Sequence, residues 1–279
     1  MQLTSGQVFH HRWCTALAAQ DVATLRGMYH PGAVQVSTAT GQVLTGVDQI
    51  AGSLTQLFNV AGAVTTTRVE QFVDAGELIC VESVQTTTYA QALTYDVFVL
   101  EGGLIRFHAN GSISPRTQAP PPVPANPPTP GQDLYLRYWA AVGALDPVAL
   151  STLYAPNVVQ VNVGTVVHGR DAILAAAQQY WHSGGRPQLM AVSRFVEAPQ
   201  AVCVEAVAKM GGQGSLIDLT YYEVWLIQSG VVSHAVRGLI TPRPAELREG
   251  LQRLHEHQIR AAQTVTEGMA RLITPPSRW

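Results

Sequence analysis

The sequence predicts an α+β protein made from one unit used twice, and three observations carry that prediction. The first is repetition. Ala33-Val34-Gln35-Val36-Ser37 returns as Val158-Val159-Gln160-Val161-Asn162, with Tyr29 and Tyr154 equally far ahead, at an offset of 125. Leu44–Ile50 returns as Val167–Ile173 at 123, and Gly111–Arg116 as Gly238–Arg243 at 127. Offsets that drift by a few residues are what a copied unit with altered loops leaves behind. The second observation is order: in each copy helical spacing comes first and strand-like segments follow, so helices would cover one face of a curved antiparallel sheet. The third is a proline-rich run, residues 119–130, at the boundary between the copies.

Each element has a local reason. Phe9, Trp13 and Ala16/Leu17 stand at helical spacing between about Gln7 and Leu17. Asp21 reads as the N-cap of a second short helix carrying Val22, Leu25 and Met28, and in the other copy Asp146 caps a helix that opens on Pro147. Pro31 and Pro156 are expected to end these helices, since proline disfavours helical geometry in the residue before it. A short strand then ends at Ser37 or Asn162. After the Gly46 or Gly169 turn a third helix is expected, roughly Asp48–Phe58 and Asp171–Trp181. Four strands complete the first copy, about 64–73, 78–89, 93–100 and 104–113, rich in valine, threonine and aromatics. In the second copy Met210–Gly214 enlarges one hairpin.

The domains so defined are 1–116 and 132–243, with a linker at 117–131 and a tail at 244–279. The linker favours extended polyproline II and would act as a semi-rigid spacer. The tail, from Glu246 to about Ile273, spaces its apolar residues as one amphipathic helix. It would pack on its own chain or cover a second copy, so a homodimer through the sheets or this helix is an expectation.

Composition narrows the function. Hydrophobic residues are 47% and charged residues 13%, which marks a globular chain with large buried sheets. Lys209 is the single lysine and the formal charge is −2, so the basic footprint of a nucleic-acid binder is missing. No apolar run reaches membrane-spanning length, and the N-terminus lacks the features of a signal peptide. Cys80 and Cys203 match between copies while Cys14 stands alone, which suits reduced thiols and a cytoplasmic location. No metal-ligand cluster, phosphate loop or nucleophile motif occurs, so no cofactor is expected. His255 and His257 lie two apart, on different sides of a helix.

The Met28-Tyr29 helix end, the short strand and the Val167-His168-Gly169-Arg170-Asp171 turn resemble the nuclear transport factor 2-like fold, and within it the SnoaL-like and ketosteroid-isomerase-like families. The resemblance spans residues 5–116 and 132–243. It implies two cone-shaped α+β barrels, each with an apolar pocket for a small polyketide-, steroid- or terpenoid-like molecule. It further implies an isomerase, cyclase or epoxide-opening activity, with a binding protein that turns nothing over, or a structural module with collapsed cavities, as the alternatives.

Matching this chain to the ketosteroid isomerase pattern puts the tyrosine of the first helix at Trp13 and Tyr138. The base aspartate falls on Ser37 and Asn162, and the strand acid on Asp96 and Glu223. Neither a serine hydroxyl nor an amide takes up and returns a proton near neutral pH, so the usual base is absent. Glu223 and Asp96 are then the candidate acids or bases and Tyr138 the candidate donor, with Trp13, Ser37, Asn162, Tyr29, Tyr154 and His234 lining the ligand. His234 shares the alternation of Val232 and Val236, while its counterpart is Phe107 and His108 falls on the other alternation. A core histidine satisfied by its neighbours is the simpler reading of His234. Asp96 and Glu223 keep two readings open: a deep group in a pocket, or a structural acid that pairs with an arginine or caps a strand end on the outer face of the sheet.

Overall fold

The computed structural model describes residues 3–113, 127–212 and 215–241. The polyproline expectation up to residue 126, the tail helix, and His255 and His257 lie outside the described residues.

Both copies begin with a reciprocal cap. Helix α1 (Ser5–Ala18) opens where Gln7 N donates to Thr4 Oγ1 at 3.2 Å and Thr4 N donates to Gln7 Oε1 at 3.0 Å. Helix α4 (Pro130–Ala144) repeats this with Thr129 and Gln132, and adds proline in its first turn. These caps start both helices earlier than apolar spacing alone indicates, and α4 takes in the last two residues assigned to the linker. Helix α2 (Val22–Gly27) is capped by Asp21, which accepts from Thr24 N at 2.9 Å. Asp146 does the same for α5 (Pro147–Ser151).

Pro31 and Pro156 do not end helices. Strands β1 (Tyr29–Ser37) and β7 (Tyr154–Asn162) already run through them, and both prolines lie where the pairing register shifts. Such a shift leaves a position whose N–H owes nothing to the ladder, which is where a strand tolerates proline. A short hairpin partner follows, β2 (Gln42–Thr45) and β8 (Thr165–His168), which the sequence did not announce. Then come α3 (Val47–Ala61) and α6 (Arg170–His182), each entered through a glycine at positive φ, Gly46 at 87° and Gly169 at 85°.

The meander of the first copy is β3 (Thr65–Ala75), β4 (Leu78–Thr86), β5 (Gln91–Glu101) and β6 (Leu104–Ser112). In the second copy it is β9 (Gln188–Ala198), β10 (Ala201–Gly212), β11 (Ser215–Gln228) and β12 (Val231–Thr241). The 12 residues of β10 against 9 in β4, and 14 of β11 against 11 in β5, show that the insertion near Met210 lengthens the strands. Each unit is one six-stranded sheet, ordered β2-β1-β6-β5-β4-β3 and β8-β7-β12-β11-β10-β9. The sheets are mixed where an antiparallel sheet was expected: β1 runs parallel to β6, and β7 to β12. The intervening helix and meander supply the long connection that a parallel pair requires.

In the first unit Trp13, Leu17, Leu25, Ile50, Phe58 and Phe98 form the core between helices and sheet. Tyr135, Tyr138, Trp139, Leu150, Ile173 and Trp225 do so in the second. Each large side chain so enclosed contributes on the order of 1.5–3 kcal/mol. The opposite sheet face is also buried, at Tyr95, Val97, Phe107 and Ala109. Gly111 and Gly238 exist for that face. A Cβ at Gly111 would come within 2.5 Å of the Tyr95 ring, and one at Gly238 within 2.2 Å of Tyr222.

Candidate functional site

Register decides which side chains meet. On β5 and β6, Phe98 is opposite His108 and Asp96 is opposite Asn110. Their repeat equivalents on β11 and β12 are Trp225 opposite Ala235 and Glu223 opposite Arg237. Phe98 and Trp225 pack against the helices, so the acids two residues earlier share that inner face. Both are enclosed, Asp96 at 6% exposure and Glu223 at 2%. They lie in the interior, and each has a side-chain partner on the neighbouring strand.

In the first unit that partner is His108. Its Nε2 is 2.9 Å from Asp96 Oδ1 and its Nδ1 is 2.9 Å from the Tyr29 hydroxyl. Gln85 Nε2 donates to the other oxygen of Asp96 at 3.2 Å. The imidazole stacks on Phe98, centroids 4.4 Å apart at 17°, and the Trp13 ring meets it edge-on at 5.4 Å. Toward a carboxylate Nε2 donates, which leaves Nδ1 to accept from the Tyr29 O–H. Burial, with the charge of Asp96 behind it, pushes the Tyr29 phenol well above its ordinary range, so its proton stays on. Two polar atoms beside this chain have no hydrogen-bond partner among the described residues: Trp13 Nε1 and Gln35 Oε1. Gln35 is in register with His108 on the neighbouring strand.

Near the same acid, Cys14 Sγ lies 3.4 Å from His10 Nε2 and 3.3 Å from Thr66 Oγ1. Burial raises the Cys14 thiol and lowers the His10 imidazole, so neither is charged by the other.

In the second unit the partner is Arg237. Its Nε donates to Glu223 Oε1 at 2.9 Å, and its Nη2 donates to the same oxygen and to the Tyr138 hydroxyl, the latter at 3.0 Å. The guanidinium also lies 5.0 Å over the Tyr221 ring. Burial works against its charge, but Glu223 beside it prevails and the pKa is raised well above the ordinary arginine value. Tyr138, Tyr154, Tyr135 and Tyr221 crowd around this pair, and burial raises every one of their phenols. Glu223 Oε2 is buried and has no hydrogen-bond partner among the described residues. Glu223 is therefore enclosed and paired with an arginine, the pairing that the structural reading of this acid expected.

The remaining candidates separate. Ser37 is half-buried and Asn162 exposed at their strand ends, in register with Asn110 and Arg237, so both stand at the margin of the inner face. His234 is corrected. It is opposite Leu226, one step out of phase with Glu223 and Arg237, and so lies on the other face of the sheet, where Nδ1 is 3.1 Å from Ser233 Oγ. Alternation with Val232 and Val236 misled because both faces are buried and a bulge falls between Val232 and His234. The same reasoning set His108 aside. The signal that finds it, and Arg237, was present in the final repeat offset of 127, which aligns His108 with Ala235 and Asn110 with Arg237.

A surface groove of about 330 Å³ runs along α4 and α5, lined by Arg137, Ala141, Asp146 and Leu153, and holds none of the candidate residues. Among the described residues no group of three His, Cys, Asp or Glu is placed to hold a metal, and no helix is long and apolar enough to cross a membrane.

Each unit is thus a six-stranded sheet covered by helices, with an acid enclosed on its inner face, and the chain carries this unit twice. The SnoaL-like domain model matches residues 10–108 and again 135–235, and the chain belongs to that family. Among solved structures it is similar to an M. tuberculosis LEH-like epoxide hydrolase, at 12% identity over 46% of this chain and 92% of that one, with a TM-score of 0.40. It is similar also to a protein of ketosteroid isomerase-like fold from Catenulispora acidiphila in complex with trimethylamine, at 17% identity over 38% and 83%, TM-score 0.35. A third is an NTF2-like protein from Burkholderia pseudomallei, at 16% over 40% and 91%, TM-score 0.36. No curated protein matches the chain.

Proposed function

We propose that this SnoaL-like protein is an acid–base catalyst on a small hydrophobic molecule, of the isomerase, cyclase or epoxide-opening kind. Asp96, His108 and Tyr29 of the first unit would do the work. The observation that carries the reading is His108 bonded through both ring nitrogens, to an acid on one side and a phenol on the other, at 1% exposure.

This chain supplies what Ser37 and Asn162 cannot. As a substrate C–H gives its proton to the Tyr29 oxygen, the phenol passes its own to His108 Nδ1, and Asp96 balances the resulting imidazolium. Return of the proton to another carbon reverses both transfers, so an isomerisation leaves the protein unchanged. For an epoxide, Tyr29 would protonate the departing oxygen. Positioned proton transfer of this kind is worth about 10²–10⁴-fold in rate.

Glu223 and Tyr138, the first-choice acid and donor on sequence grounds, are engaged by Arg237. Their pairing favours binding and orientation of a polar group in the second unit, with turnover in the first. Three unpaired cysteines suit a cytoplasmic location. A homodimer through the sheets or the tail belongs to the same proposal, and sedimentation of the full chain against a truncation at residue 243 tests it.

The deciding experiment follows deuterium uptake next to the carbonyl of a Δ5-3-ketosteroid and hydrolysis of styrene oxide, in the wild type, His108→Gln and Glu223→Gln. Loss of at least about 100-fold in His108→Gln, with most activity kept in Glu223→Gln, is expected. Turnover that survives His108→Gln sinks the assignment.

A further inference from the structure

The surface groove of about 330 Å³ along α4 and α5 has an apolar lining, Ala140, Ala141, Ala144, Ala149 and Leu153. Val148, next to Ala149, is 73% exposed. The repeat shows that the fold does not require this character. At the offset of 125, Ala140 and Ala149 correspond to Thr15 and Thr24, and Val148 to Ala23. Both threonine hydroxyls find partners, Thr15 on His11 O at 2.9 Å and Thr24 on the capping Asp21 Oδ2 at 2.6 Å. Thr152 in place of Gly27 runs the other way, but its hydroxyl is taken by Ala149 O at 2.7 Å. The groove has therefore lost polar groups in the copy that the tail follows, and kept them in the copy that the linker follows.

The tail also starts where it can reach this groove. Helix α4 lies antiparallel to β12: Tyr135, near its start, meets Tyr221, opposite Leu239, and Tyr138 bonds Arg237. At the far end, past α5, Leu153 O accepts from Val232 N at the start of β12. The end of β12, Thr241, thus lies toward the first turn of α4, and the groove is one helix length away, about 22 Å. A helix over residues 246–273 reaches about 42 Å, and only residues 242–245 separate it from β12.

We propose that the segment from Glu246 to Ile273 folds back along α4 of its own chain as an amphipathic helix. Leu247, Leu251, Leu254 and Ala262 then fill the groove and take its apolar lining out of water. Alanine on α4 and α5 lets a third helix axis come close. The short tether holds the tail at an effective concentration of about a millimolar, which favours its own groove over that of a second copy. The sheets then remain as the surface for a homodimer.

The test is tryptic cleavage of the full-length protein at Arg253 and Arg260, read by intact mass. A docked tail is cut only when it opens, so the rate reports the open fraction. Ala140→Gln/Ala144→Gln puts long side chains into the groove from exposed helical positions that glutamine suits, so folding is retained. It should speed cleavage about tenfold, as should Leu251→Gln/Leu254→Gln on the tail side. All four changes together should also give about tenfold, far short of the roughly hundredfold of independent effects. Thr15→Gln/Ala19→Gln, the matching change in the first unit, should leave the rate as it is. Rapid cleavage of the wild type overturns the proposal, and so does protection that Ala140→Gln/Ala144→Gln leaves intact. Protection that fades on dilution puts the tail on a second copy and overturns it as well.

Discussion

His108 Nε2 lies 2.9 Å from Asp96 Oδ1 across a diagonal of the β5–β6 pair, while the equivalent acid in the second unit, Glu223, faces Arg237 directly across β11–β12. One scaffold thus gives the same deep acid two different partners. A histidine can pass a proton on, whereas an arginine holds its proton throughout. With the pairing register unchanged, a partner two residues along the neighbouring strand separates a histidine pair from a fixed ion pair.

Removing one partner of a buried pair strands the other. Arg237→Met should destabilise the protein by about 3–5 kcal/mol, because Glu223 is left enclosed without its counter-charge. The double variant Arg237→Met/Glu223→Leu should recover most of that loss. Urea denaturation of the three proteins checks both statements, and a single variant as stable as wild type would contradict the burial of the pair.

His108→Phe should keep the stacked ring over Phe98 but deprive Asp96 of its shortest hydrogen bond, leaving Gln85 alone. A loss of about 1–3 kcal/mol is expected. His108→Gln, which retains a donor, should lose less. The order of the two midpoints in urea is the measurement, and the reverse order would mean that packing outweighs the hydrogen bond here.

Gly238→Ala should destabilise by about 1–3 kcal/mol, since the new Cβ meets the Tyr222 ring, and Gly111→Ala should do the same against Tyr95. Neither change touches the inner face. Thermal unfolding should therefore shift while His108-dependent turnover by the folded protein does not.

Alkaline pH should unfold the chain sooner than its carboxylates would suggest. Tyr29, Tyr135, Tyr138, Tyr154 and Tyr221 are all raised by burial. A phenol whose folded pKa is raised contributes its full share below the unfolded value of about 10 and loses it as pH climbs toward the folded value. Each contributes up to about 1.4 kcal/mol per pH unit in that window. Stability should be flat to about pH 9 and fall steeply above pH 10. Tyrosinate absorbance should appear together with loss of circular dichroism and not before it.

Burial raises the thiols of Cys80 and Cys203 far above their ordinary range, and Cys14 in a smaller degree. A thiolate reagent at neutral pH should label Cys14 slowly and leave the other two untouched until urea is added. Equal native labelling of all three would refute the enclosure of β4 and β10, which carry Cys80 and Cys203.

By itself the sequence determined the duplication, the caps at Asp21 and Asp146 and the order of helices before strands, because local backbone preferences and a repeat can be read along the chain; it left open which sheet face holds Asp96 and Glu223. It did not show that Pro31 and Pro156 sit inside strands, since a register shift is a property of two strands and not of one. Nor did it choose among histidines. With both sheet faces buried, the alternation that ordinarily separates inside from outside was equally apolar on each side, so His234 was placed inward and His108 outward, the opposite of the observed faces. Only the pairing of β5 with β6 and of β11 with β12 decided that Asp96 meets a histidine and Glu223 an arginine. Those contacts join residues 12 and 14 positions apart through hydrogen-bonded strands, and the geometry that creates them exists only once the sheet has formed.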